Sequence, residues 1–68
     1  MVRAVKYREV RKFLEESGWV QIRTTGSHTH WQGPDGNGRL SVPRHRTVSP
    51  GVIRQIITVI PEYPKSWR

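Results

Sequence analysis

The six residues GPDGNG, Gly33 to Gly38, admit neither a helix nor a strand. They stand between two short segments whose side chains alternate with a period of two: HTHWQ, His28 to Gln32, before them and RLSV, Arg39 to Val42, after. Two alternating segments joined by such a loop make an antiparallel hairpin. Pleating puts His28, His30 and Gln32 on one face of the first strand and Thr29 and Trp31 on the other. If the histidines lie on an open face, Trp31 belongs to the core. Leu40 and Val42 point inward from the second strand, which Pro43 ends.

What flanks the hairpin fixes the fold class. From Lys6 to Gly18, Tyr7, Val10 and Leu14 recur at helical spacing with Phe13 beside them, and Gly18 is placed to stop the helix in a left-handed conformation. Arg11 and Glu15, and Lys12 and Glu16, are i,i+4 pairs on its outer surface. In WVQIR, Trp19 to Arg23, Val20 and Ile22 alternate with Gln21 and Arg23, which reads as a half-buried strand. Thr24-Thr25-Gly26-Ser27 reads as a turn, which would set His28 across from Ile22 and Arg23. After the hairpin, Pro43 to Val48 reads as a basic loop. Ser49 then suits an N-cap and Pro50 the first helical position, ahead of a stripe of Val52, Ile53, Ile56, Ile57 and Ile60 that Pro61 ends. The order is α-β-β-β-α, an α+β two-layer domain over residues 1–60 with both helices on one face of the sheet. Residues 61–68 read as an irregular tail from which Tyr63 and Trp67 are positioned to pack back.

Charge narrows the partner. In 68 residues, 12 Lys and Arg face 5 Asp and Glu, a net +7. Zero cysteines exclude a disulfide framework and Cys-ligated metal. The apolar runs are two residues long at most, too short for a membrane span. Arg3, Lys6 and Arg8 interrupt any signal-peptide core, so a soluble intracellular domain is expected. A polyanion is the natural partner of such a chain, and nucleic acid the commonest. Arg23, Arg39, Arg44 and Arg46 flank the strands, and a planar guanidinium suits bidentate phosphate contact.

The three histidines are the side chains here that ordinarily titrate near neutral pH. A histidine beside arginines on an open sheet is placed to move a proton near a bound phosphodiester. His28 and His30 together also form an H-x-H pair. A metal would need a third ligand, for which Asp35 and His45 in loops are the candidates, and no well-placed carboxylate supports one. Ser27 and His28 point to opposite faces, so they make no nucleophile–base pair.

Several pieces, in their order and spacing, resemble HicA toxins, the small mRNA interferases of HicAB toxin–antitoxin pairs. They are VKYREVRKFLEESGWV, the GSH of Gly26, Ser27 and His28, the PDG of Pro34 to Gly36, the LSVPRH of Leu40 to His45 and the SPGVIRQI of Ser49 to Ile56. The resemblance implies a fold like a double-stranded-RNA-binding domain and an endoribonuclease that cleaves mRNA in the cytoplasm. By position it implies catalysis by His28; His30 is a second candidate, and Gly26 and Ser27 are supporting candidates in the same GSH region. The residues' own reading adds RNA phosphates held against Arg23, Arg39, Arg44 and Arg46. No cofactor and no metal are expected. A HicB-type antitoxin would block the site, the toxin being a monomer when free and part of a hetero-oligomer with its antitoxin. The segment TVIPEYPKSWR departs from the family's usual short ending. The alternative from another class is a non-catalytic basic RNA-binding module, whose histidines would be ordinary surface residues.

Overall fold

The computed structural model describes residues 2–68 and has the expected α-β-β-β-α order, extended by two short strands. Strand β1 (Val5–Lys6) leads into helix α1 (Tyr7–Glu16). Strands β2 (Val20–Thr25), β3 (His28–Gln32) and β4 (Arg39–Pro43) follow, then β5 (Thr47–Val48), helix α2 (Pro50–Val59) and a 3₁₀ turn at Lys65–Trp67. The main sheet is antiparallel in the order β2-β3-β4. β1 and β5 pair separately, Val5 opposite Val48 and Lys6 opposite Thr47. The segment expected to be wholly a basic loop therefore ends in a strand, and Val48 is fully buried.

Helix α1 forms because its apolar residues recur on one face. Val10 and Leu14 are fully buried, with Tyr7 and Phe13 packed at the margin. Its end is fixed locally. Gly18 has φ +85°, its N–H donates to Glu15 O, and the Trp19 N–H donates to Leu14 O. These two bonds satisfy carbonyls the helix leaves free and turn Trp19 back towards Leu14. Trp19 then lies against the β3–β4 loop, where a Cβ on Gly38 would meet its ring at 3.2 Å. A Cβ on Gly33 would meet the Asn37 carbonyl at 2.2 Å, so the loop closes only with glycine there. Helix α2 begins with Ser49 in extended conformation and Pro50 at the first turn, as expected, but the Ser49 side chain makes no capping bond. Its carbonyl accepts from Ile53 N–H at 3.0 Å.

One layer of the core comes from β3 and β4. Thr29, Trp31, Leu40 and Val42 are buried against Val10, Leu14, Ile53 and Ile56. The Thr29 hydroxyl accepts from Tyr7 Oη at 3.4 Å and from Trp31 Nε1 at 3.0 Å, and donates to the Val42 carbonyl at 2.9 Å. Every buried polar group at this point is thereby paired.

β2 departs from its expected half-buried pattern. All six of its residues are exposed, Val20 at 60% and Ile22 at 41%. The strand is an edge of the sheet and contributes nothing to the helix-covered layer. A bulge between Gln21 and Arg23 also inserts Ile22 as an extra residue and breaks the alternation.

The tail joins the body. Trp67 is 3% exposed and meets Phe13 edge-on at 4.9 Å between ring centroids. The Arg3 N–H donates to Trp67 O and the Arg3 Nε to Arg68 O, both at 2.9 Å.

Two substitutions test this packing in urea unfolding followed by tryptophan fluorescence. Thr29→Val leaves the Trp31 indole N–H buried without an acceptor and should cost about 1–3 kcal/mol. Trp67→Ala should cost about 3–5 kcal/mol by emptying a core site, whereas a free tail would show no change in midpoint.

Candidate active site on the open sheet face

With Thr29 and Trp31 committed to the core, β3 presents His28, His30 and Gln32 on its other side. Residues directly opposite on neighbouring strands share a face, so the register arranges this side in three rows. Val20, Gln32 and Arg39 form the first, Arg23, His30 and Ser41 the second, and Thr25, His28 and Pro43 the third. His30 is half-buried in the central row and lines a shallow cleft with Ile22, Arg23, Arg39 and Ser41. His28 is exposed at the strand's end.

This register corrects the expected neighbours of His28. Thr25 lies across from it, and Arg23 lies across from His30. β2 runs through Thr25, so the reversal is the tight Gly26-Ser27 pair rather than a four-residue turn. Gly26 has φ +59°, which a side chain would oppose. Ser27 is engaged through its backbone, its carbonyl accepting from the Arg44 N–H.

That bond places the remaining arginines. One end of the 44–46 loop is tied to Ser27, beside His28. The other end is tied by the Tyr7 N–H donating to the Arg46 carbonyl at 3.1 Å. The loop and the start of α1 enclose a cleft of about 410 Å³ lined by Lys6, Tyr7, Arg8, Arg44, His45 and Arg46. The four arginines singled out from sequence therefore fall into two groups. Arg23 and Arg39 surround His30, while Arg44 and Arg46 join Lys6 and Arg8 beyond His28. Lys6 and Arg8 were not expected in the site. Their charge was legible, but the contact that carries them there is a backbone bond between distant residues.

Acidic residues stay away from this face. Glu9, Glu15 and Glu16 lie on α1, and Glu16 lines a separate cleft with Asp35, Glu62 and Trp19. Among the described residues one ion pair forms, Arg11 to Glu15 at 3.4 Å, and Lys12–Glu16 does not close. Arg23, Arg39, Arg44 and Arg46 thus meet no carboxylate among the described residues and remain available to an outside anion. The candidate third ligands for the H-x-H pair separate: Asp35 is in the β3–β4 loop, beyond the Gln32 end of β3, and His45 is beyond its His28 end. Among the described residues no group of three or more His, Cys, Asp or Glu is placed to hold a metal ion.

A sheet face with two histidines, two clusters of unpaired guanidinium groups and no carboxylate can bind a phosphodiester and exchange protons with it. Among the described residues no helix is long and apolar enough to cross a membrane. No curated protein and no solved structure matches the chain. A protein-family model described as the HicA toxin of bacterial toxin–antitoxin systems matches residues 7–60, from the first residue of α1 to the residue that caps α2. The chain belongs to the HicA toxin family.

Proposed function

We propose that this toxin is a cytoplasmic endoribonuclease that cleaves mRNA by acid–base catalysis through His28, and that a HicB-type antitoxin neutralises it by covering the open sheet face. The observation that carries this reading is the position of His28. It is exposed on a carboxylate-free face, with the Arg23 and Arg39 group along the sheet on one side and the tethered Arg44–Arg46 loop on the other. RNA laid along this line has phosphates gripped on both sides of the histidine.

Neutral His28 takes the proton from a ribose 2′-OH, whose oxygen then attacks the adjacent phosphorus. Arginine side chains stabilise the charge that develops on the phosphoryl oxygens. The mechanism uses only side chains of this face. The free toxin acts as a monomer, and the antitoxin converts it to a hetero-oligomer. Single-histidine help amounts to about 10²–10⁴-fold, so turnover is slow. The grip on phosphate is independent of the sugar, so the same face binds DNA without cutting it.

The test uses purified wild-type protein and His28→Ala on a defined single-stranded RNA and its all-deoxy analogue, with EDTA present, reading cleavage on gels and binding in parallel. Wild type should cut the RNA alone, and His28→Ala should lose about 10²–10⁴-fold in rate with binding retained. Binding without cleavage by either protein would make this a binding module. Cleavage of the deoxy strand would rule out 2′-OH attack.

A further inference from the structure

Acid–base cleavage through His28 alone leaves one proton unassigned. The 5′-oxygen must be protonated as it departs, or the bond to phosphorus breaks slowly. The open face holds one other side chain that exchanges protons readily. Its members are Val20, Ile22, Arg23 and Thr25 on β2, His28, His30 and Gln32 on β3, and Arg39, Ser41 and Pro43 on β4. Arginine does not give up its proton, and serine is a weak acid. Tyr7 is turned inward, its hydroxyl donating to Thr29. His30 remains.

We propose that His30 is the general acid of the reaction, so that His28 and His30 form a base–acid couple across a single phosphodiester. This rests on the nuclease reading above. Three features of the structure support it. First, alternate residues of a strand lie about 6.7 Å apart on one face. A base and an acid, each needing a heavy-atom contact of about 2.6–3.2 Å on opposite sides of one phosphorus, need a separation of that order. Second, the two histidines have different neighbours. His28 stands opposite Thr25 and Pro43, neither charged, with Arg44 following Pro43. His30 stands opposite Arg23 and Ser41, with Arg39 two residues before Ser41 on the same face. Arg23 and Arg39 are thus placed to hold the scissile phosphate beside His30. Third, Thr29 lies between the two histidines and is held by three hydrogen bonds, so their spacing is fixed from beneath.

The step balances. The 2′-OH proton passes to His28 as the O2′–P bond forms. The P–O5′ bond breaks as the His30 imidazolium gives its proton to O5′. The products are a 2′,3′-cyclic phosphate and a free 5′-OH, and the two histidines exchange protonation states through water before the next turn.

The experiment compares RNA with uridine 3′-(4-nitrophenyl phosphate), whose leaving group departs as a stable phenolate and needs no proton. Wild type, His28→Ala and His30→Ala are assayed on both, with His30→Asn as a second variant of similar polarity. The His30 variants should lose about 10²–10⁴-fold on RNA and less than about tenfold on the activated ester. His28→Ala should lose the larger amount on both. Equal losses by the His30 variants on the two substrates, or no loss on either, overturn the assignment, as does a His28 variant rescued by the ester. Wild-type protein inert on both substrates would instead remove the nuclease reading itself. RNA cleavage by wild type keeps that reading, and the ester then decides the role of His30 alone.

Discussion

The Thr29 hydroxyl gathers three elements at one buried point. It accepts from Tyr7 of α1 and Trp31 of β3, and donates to the Val42 carbonyl of β4. The consequence is registration. A strand with a period of two shows its opposite face whenever it slips by one residue. A slipped β3 would bury two histidines without partners and expose Trp31. The network and the fit of Trp31 in the core make that arrangement costly, so the histidines are held outward by what lies beneath them. Structure and proposed chemistry are thus two faces of the same five residues.

The division of the surface follows the same logic. Helices cover one side of β3 and β4, and the other side is left to solvent. Carboxylates gather on α1, in the β3–β4 loop and in the tail, while guanidinium groups ring the uncovered side. An anion approaching the uncovered side meets cations with no carboxylate partner among the described residues. So small a domain has little core to spare. It recovers some by drawing its tail into the body, with Trp67 packed on Phe13 and the chain ends tied through Arg3.

Much of this was legible in the sequence because the signals were local. The alternation of β3 and β4, the stripes of Val10 and Leu14 and of Ile53 and Ile56, and the stop at Gly18 each depend on residues within a turn or two. What was not legible depends on pairings between distant segments. The alternation of Val20 and Ile22 suggested a buried face, but the edge position of β2 and its bulge left both exposed. The neighbours of His28 differ from the sequence expectation because the turn before it takes two residues and not four, which moves Arg23 opposite His30. Strands of two residues, such as β1 and β5, carry no pattern of their own. The basic cleft beyond His28 exists because backbone bonds join Ser27 to Arg44 and Tyr7 to Arg46. The family match supports a toxin, and the register shows which side chains share its open face.

The measurement that most directly tests the open face as the RNA-bearing surface is a titration of ¹⁵N-labelled protein with a 2′-O-methyl oligoribonucleotide, which cannot be cleaved. Amide shifts should move for Arg23, His28, His30, Arg39, Ser41 and the 44–46 loop, and stay still for the solvent side of α2 around Arg54 and Gln55. Shifts concentrated on α2 or on the carboxylate-bearing surface of α1, with the β3 amides unmoved, would contradict it.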